Sequence, residues 1–240
     1  MNDVLPQYSS LPFYSRLIQS LKEKFNQNSS QSYYILSTSL EKDNLTLWSE
    51  FSDAMGYCLG INLEKIRNSL TENSKFVFEG HVIYNLSEQL EILKNLLDEL
   101  AQSFEFPEKE GVYNSFNTIP HDINEKTIDN IASIIAVSCH FHALFFKDSV
   151  FKSENEYRFV IVGMHGSKVD EKFRNQRLFR TKDGVIIPFS KVDNSDNSYL
   201  EEIVIGPKNN SDLAEKGIAL FCEHLKIGVP VFKSKSPLRY

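Results

Sequence analysis

Two glutamates and an arginine lie at alternate positions around the start of a predicted strand. Glu154, Glu156 and Arg158 are two residues apart, and residues 159–162 are apolar. Because strand side chains alternate between faces, Glu156 and Arg158 share a face, and Glu154 joins them if the strand begins early. The apolar run predicts a strand covered on both sides, so this row is only partly solvated. Such carboxylates suit acid–base or oxocarbenium-stabilising chemistry; the alternative is a structural ion-pair row that anchors the strand.

A second polar group follows a predicted buried strand at residues 33–36. It consists of Ser37, Thr38 and Ser39, with Asp43 a few residues later. Hydroxyl groups at this position would orient a ribose or a carboxylate. Serine and aspartate are also frequent in turns and at helix starts, so the same residues are typical of a cap for the next helix.

The segment from residue 168 to 182 is basic in an acidic protein. It has six basic and two acidic residues, a net charge of +4, whereas the whole chain has a net charge of −6. Arg180 lies within it. The pattern predicts either a loop that contacts a phosphate-containing ligand or a solvated loop that binds nothing.

The remaining polar residues do not form a recognisable metal or nucleotide motif. Cys58, Cys139 and Cys222 are far apart, which is typical of separate reduced thiols. His140 and His142 are two residues apart on a predicted helix and therefore point to different sides. The chain has no phosphate-binding glycine loop and no zinc-protease motif. We therefore predict no metal site.

The elements that must position these residues alternate irregularly between helices and strands. Helical spacing of apolar residues predicts a helix over 13–25, and the glycine at residue 80 predicts a hairpin over 76–84. Ser87 is predicted to cap one long helix, and a second long helix is predicted from about Asn124 to Phe146. The other predicted elements are helices at 45–51, 63–70 and 212–225 and strands at 57–61, 157–162, 185–189, 203–205 and 229–232.

This order predicts an α+β fold with a mixed, mainly antiparallel sheet flanked by several helices. We expect one domain over 1–240, with an N-terminal helix within 1–30 and a helical insertion at 86–147. No apolar run approaches the roughly 20 residues that cross a bilayer. The N-terminal residues lack the pattern of a secretory signal, so the expected location is the cytoplasm, without membrane contact.

The order of several short landmarks resembles a bacterial family, the domain of unknown function 2971, over about residues 33–239. The landmarks are Ser37 to Ser39, Asp43, Leu45, Trp48, Phe51, Gly56, Gly60, 82–84, Lys147, Phe151, Glu154, Glu156, Arg158, 179–180, 187–189, 203–207 and 234–239. The chain departs from the family pattern at Thr38, where an aromatic residue is usual, and at Phe51, where tyrosine is frequent. An upstream segment rich in tyrosine, lysine and arginine is also missing. The resemblance implies a role in phage defence or as a toxin.

Three functions compete. The first is an ADP-ribosyltransferase-like enzyme acting on NAD, because Ser-Thr-Ser and Glu-x-Glu elements occur in that order in such enzymes. Glu156 would then stabilise the developing positive charge, Glu154 would orient the acceptor, and Ser37 or Ser39 would position Glu156. Arg158 or Arg180 would bind a phosphate. This hypothesis requires Ser37 to lie within hydrogen-bond reach of the strand that carries Glu156.

The second function is a metal-dependent nuclease with Asp43, Glu154 and Glu156 as oxygen ligands. The third is a non-catalytic sensor or binding subunit of a defence system, with a protein partner or a phosphate-containing ligand. The candidate ligand-binding residues are Asp43, Trp48, Lys147, Arg158 and Arg180.

Overall fold

The computed structural model describes residues 4–26, 32–73, 77–102, 123–163, 177–190, 198–209 and 211–236. The helices are α1 (Tyr14–Asn26), α2 (Leu45–Ser52), α3 (Leu63–Asn73), α4 (Leu86–Gln102), α5 (Glu125–Ala143) and α6 (Asp212–Leu225). The strands are β1 (Ser32–Ser39), β2 (Tyr57–Ile61), β3 (Val77–His81), β4 (Glu156–Gly163), β5 (Leu178–Lys182), β6 (Val185–Phe189), β7 (Leu200–Ile205) and β8 (Val231–Lys233). The predicted α+β class is confirmed. The predicted loop at 105–122 lies outside the described residues.

The chain divides into two compact units. Met1–Ser29 and Val82–Phe151 form the first, and Ser30–His81 and Lys152–Tyr240 form the second. The first unit contains α1, α4 and α5, and the second contains the eight strands named above with α2, α3 and α6. The predicted single domain and the predicted helical insertion at 86–147 stay predictions.

The helical unit is built around apolar faces that recur every three or four residues. Its buried core includes Phe13, Leu17, Leu21, Leu97, Ile128, Ile131 and Ile135. The side chain of Asn124 caps α5 by accepting a hydrogen bond from the backbone N–H of Thr127 at 2.9 Å, and the helix ends at Ala143 and not at the predicted Phe146. The cap of α4 is Asn85 and not Ser87, because the Asn85 side chain accepts from the backbone of Ser87 at 2.8 Å. Because Asn85 lies two residues earlier and caps the helix, Ser87 lies inside it.

In the second unit the strands form three sheets in the described part of the chain. Their orders are β1-β4-β3, β2-β7-β8 and β5-β6, and all pairs are antiparallel except β7 with β8. The predicted hairpin over 76–84 is wrong, because Val77–His81 is one continuous strand beside β4. Gly80 pairs with Arg158 within this strand and does not form a turn. The predicted last strand is shifted to Val231–Lys233.

Helices cover one face of each larger sheet. α3 packs Ile66 and Leu70 on Phe159 and Ile161 of β4. α6 packs Ala214, Ile218 and Cys222 on β7. Residues 159–162 are buried on both faces of β4, as the apolar run predicted.

A prediction concerns Gly206, which directly follows β7. A Cβ atom at this position would lie 2.9 Å from the backbone oxygens of both Ala54 and Gly56. Because backbone atoms cannot move aside cheaply, Gly206→Ala is expected to lower the free energy of unfolding by about 1–3 kcal/mol. Gly228→Ala is the matched control, since its Cβ would meet no atom within 4 Å. Urea unfolding measures both variants, and equal stabilities would contradict this reading of the contact.

Candidate functional site

The register of β1 and β4 brings the predicted site residues together. Ser37 lies opposite Arg158, and Ser39 lies opposite Glu156. Residues directly opposite each other in an antiparallel pair project from the same face of the sheet. The predicted proximity of Ser37 to the strand that carries Glu156 is therefore confirmed. The three hydroxyl residues do not follow the strand, however, because β1 extends through Ser39.

Arg158 binds both carboxylate oxygens of Glu156. Its Nε donates to Oε1 and its Nη2 donates to Oε2, each at 2.9 Å. The Glu156 side chain is 7% exposed and the Arg158 side chain is 13% exposed. This is a forked pair on one strand, in which two parallel charge-assisted hydrogen bonds compensate for the removal of both charges from water.

Two of the three hydroxyl groups hold the backbone of the partner strand and its preceding turn. Thr38 Oγ1 donates to the carbonyl oxygen of Tyr157 at 2.9 Å. Ser39 Oγ donates to the carbonyl oxygen of Glu154 at 2.7 Å and accepts from the N–H of Glu41 at 3.0 Å. These contacts support the structural interpretation of Thr38 and Ser39.

Glu154 is positioned differently from Glu156. It ends a 3-10 helix, Ser149–Glu154, and Asn155 follows with φ of 43°. Because this left-handed residue interrupts the extended backbone, Glu154 does not extend the alternation of β4. Its side chain is nevertheless buried, with 6% of the residue exposed.

The loop between β1 and α2 fixes this turn at several points. The N–H of Leu40 donates to the carbonyl of Asn155 at 3.0 Å, and Asn44 Nδ2 donates to the carbonyl of Ser153 at 2.5 Å. Asn155 Nδ2 in turn donates to Glu41 Oε1 at 3.1 Å. The sheet end that carries Glu156 is therefore held by hydrogen bonds on both sides of Asn155.

Asp43 binds residues 234–236, near the end of the chain. Its Oδ1 accepts from Ser234 Oγ at 2.6 Å and from Trp48 Nε1 at 2.7 Å. Its Oδ2 accepts from the N–H groups of Lys235 at 2.7 Å and Ser236 at 3.1 Å. Burial alone would raise the pKa of Asp43, but these hydrogen bonds outweigh burial and lower the pKa.

Trp48 is buried on α2 with 5% of its surface exposed. It packs with Ala54 and Val204, and its indole N–H points to Asp43. Trp48, a candidate ligand-binding residue, is therefore part of a small apolar core.

The two remaining candidate residues lie elsewhere. Lys147 is in the helical unit, where its ammonium group lies 4.8 Å from the centre of the Phe151 ring. Arg180 is exposed on β5. Most of the basic segment at 168–182 is outside the described residues, but at its described end Arg177 Nε donates to Tyr34 Oη at 3.1 Å.

A polar cluster on the opposite face of the same sheet was missed by sequence reasoning. Arg67 Nε donates to Glu79 Oε1 at 2.6 Å, and the His81 ring lies edge-on to Tyr157 at 5.2 Å. Burial and the nearby Glu79 charge raise the pKa of Tyr157. In the described part of the chain Glu79 Oε2 is buried without a hydrogen-bond partner. The only sequence signal was the period-two alternation of a strand through 77–81. Gly80 concealed this signal because it is typical of a turn.

No group of three or more histidine, cysteine, aspartate or glutamate side chains in the described ranges is arranged to hold a metal ion. None of the described helices is both long enough and apolar enough to cross a membrane.

Comparison with known proteins places part of this site in a family. Residues 47–159 match the model of the family described as "Protein of unknown function (DUF2971)". This segment resembles DUF2971. The match confirms the resemblance over these residues, which include Trp48, Glu154, Glu156 and Arg158, whereas its predicted extension to 33–239 stays a prediction. Ser37, Ser39, Asp43 and Arg180 lie outside the matched segment. No curated protein and no solved structure matches the chain.

Proposed function

We propose that this protein is a non-catalytic binding subunit. The observation that carries the proposal is the forked pair, since Arg158 occupies both oxygens of the glutamate that would have to act in catalysis. The hydroxyl groups of Thr38 and Ser39 are bound to backbone carbonyls. Glu156 is thus bound by Arg158, and Thr38 and Ser39 are bound to the backbone, as in a structural ion-pair row.

The energetic cost of opening the pair supports this proposal. For NAD chemistry, Glu156 would have to give up a bond with Arg158 to bind a ribose hydroxyl. Removing one partner from a buried ion pair costs about 3–5 kcal/mol. If a neutral ribose hydroxyl replaced the guanidinium, the binding energy of NAD would have to offset much of that cost. Each 1.4 kcal/mol used in this way weakens the binding of NAD tenfold.

An ADP-ribosyltransferase-like enzyme acting on NAD is the second candidate, and the strand register favours it. Ser37 and Ser39 lie across from Arg158 and Glu156 on one face. In this candidate Glu156 stabilises the positive charge that develops as nicotinamide leaves, and Arg158 moves to a phosphate. A nuclease receives no comparable support, because both carboxylate oxygens of Asp43 already accept hydrogen bonds.

The proposal includes a cellular setting. We place the protein in the bacterial cytoplasm, as a sensor or partner-binding subunit of a phage-defence system, which is the setting that the family resemblance implies. Cys58, Cys139 and Cys222 are reduced thiols. This is consistent with a reducing compartment.

Nicotinamide release from NAD tests the proposal. We expect none from the purified protein, with or without bacterial lysate as acceptor, because Glu156 remains bound to Arg158. Glu156→Gln and the matched control Glu202→Gln, whose partner Lys42 is exposed, are assayed in parallel after circular dichroism confirms that both are folded. Release that disappears in Glu156→Gln and persists in Glu202→Gln would overturn the proposal and establish the second candidate.

A further inference from the structure

The hairpin of β5 and β6 is an arm of the second unit. Its strands pair only with each other among the described strands, and Asp183 and Gly184 form its two-residue turn with φ of 51° and 78°. Positive φ at both turn residues is the geometry that joins antiparallel strands tightly. The arm is therefore a well-defined element of the fold.

One face of this arm is apolar and open. The pairing of Phe179 with Pro188 and of Thr181 with Ile186 places these four residues on one face. All four are exposed, Phe179 at 64% and Ile186 at 70%. No residue of the arm belongs to a buried apolar cluster of the described residues. Because an isolated two-stranded hairpin is marginal in water, packing against this face would stabilise it.

A second open apolar surface lies on α6. This helix buries Ala214, Ile218 and Cys222 against its sheet. Leu213 and Leu220 lie on the outer side and Phe221 lies at the flank, with exposures of 79%, 66% and 55%. Residues three and four apart are neighbours on a helix, and position 217 is four residues from Leu213, three from Leu220 and four from Phe221. The three side chains therefore border one continuous strip around residue 217.

Gly217 lies in the middle of that strip. A glycine inside a helix costs about 1 kcal/mol relative to alanine. Nothing in this chain requires it, because a Cβ atom at Gly217 would meet no atom within 4 Å. The glycine leaves a notch between Leu213 and Phe221, which fits the insertion of an apolar side chain from outside.

The two surfaces carry opposite charge. Arg180 and Lys182 lie on the arm with only Asp183 against them. On α6, Asp212, Glu215 and Glu223 outnumber Lys216, and Lys233 pairs with the first two. The whole chain has a net charge of −6. A basic arm is therefore attracted to a second copy more than to a basic or neutral partner.

We propose that the arm of one copy packs on α6 of a second copy, with Ile186 or Phe179 inserted at Gly217. Both surfaces are exposed within a single chain, so they do not cover each other there. A twofold axis makes the contact twice, which is the commonest arrangement of homodimers. Each apolar face then covers the other, and the arm gains the packing that it lacks alone.

Sedimentation velocity across about 1–100 µM protein tests the dimer. We expect a dimer for the wild type and, for Ile186→Lys, a dissociation constant raised at least about 30-fold, as for an interface hot spot. Val150→Lys is the control, because Val150 is 75% exposed but lies outside both surfaces. A monomeric wild type, or a dimer equally weakened by Val150→Lys, would overturn the proposal.

Gly217→Ala distinguishes an effect on the dimer interface from an effect on the stability of the fold. The added methyl group is expected to raise the melting temperature of the isolated chain, since alanine favours the helix. The same methyl group fills the notch, so the dissociation constant of the dimer is expected to rise at least about 10-fold. An unchanged dimer in this more stable variant would show that the notch is not the contact and would overturn the proposal.

Discussion

Glu156→Gln is expected to lower the free energy of unfolding by about 3–5 kcal/mol. Glutamine removes the charge but keeps the shape, so Arg158 remains in a site where only 13% of its side chain is exposed. Its guanidinium then has a neutral amide in place of two carboxylate oxygens. Removing one carboxylate from such a buried ion pair is more costly than the net stabilisation that the intact pair provides.

Urea unfolding at pH 7 measures this loss, and two further variants identify its cause. Glu202→Gln breaks the contact with Lys42, which is 55% exposed, and should cost less than about 1 kcal/mol. The double variant Glu156→Leu with Arg158→Met removes both charges and should recover most of the stability. A double variant no more stable than Glu156→Gln would show that packing, and not the loss of the Glu156 charge beside Arg158, explains the effect.

Local patterns predicted much of the fold. The bounds of Tyr57–Ile61, Val185–Phe189 and Asp212–Leu225 were predicted from apolar spacing and from the turn residues around them, and the structure has the same bounds. The strand β5 was missed because Arg180 and Lys182 made that segment read as a charged loop. Its pairing with β6 depends on the Asp183-Gly184 turn, a signal that was present and not used.

The geometry of the candidate site depends on pairing between strands that are far apart along the chain, and local sequence patterns do not predict this pairing. The sequence placed Glu156 and Arg158 on one face of β4 but left open whether they would bind a ligand or each other. β4 lies between β1 and β3, and its partners in β1 are more than 110 residues away along the chain. Hydrogen bonds from Thr38 and Ser39 to β4 and its turn depend on that pairing, which has no local signal, and on the left-handed Asn155. Asparagine tolerates this conformation but does not require it.

The role of Asp43 also depends on partners that are far away along the chain. Its type and position suggested a turn, a cap or a ligand-binding carboxylate. The partners that decide among these interpretations, Ser234 and Ser236, are 191 and 193 residues away. The carboxylate joins the start of α2 to the end of the β2-β7-β8 sheet, because Ser234 follows β8 directly.

Asp43→Asn is accordingly expected to lower the free energy of unfolding by about 2–3 kcal/mol at pH 7, since hydrogen bonds to a charged group contribute more than neutral ones. Asparagine can still accept hydrogen bonds at its amide oxygen. Its NH₂ group, however, meets either the backbone N–H groups of Lys235 and Ser236 or the donors Ser234 and Trp48. In either orientation of the asparagine amide, the hydrogen bonds from one of these two sets of donors are therefore lost.

The pH dependence of this effect follows from the lowered pKa of Asp43. A carboxyl group whose pKa is lower in the folded state stabilises the fold fully above its unfolded pKa, near 3.9, and this stabilisation disappears as the pH falls through the folded pKa. The stability difference between the wild type and Asp43→Asn should therefore be constant from pH 7 to about pH 5 and shrink below about pH 4. Urea unfolding at a series of pH values measures both curves. A difference that stays constant to the acid limit would assign the effect to lost packing, whereas a shrinking one identifies the ionised carboxylate as the group that binds residues 234–236.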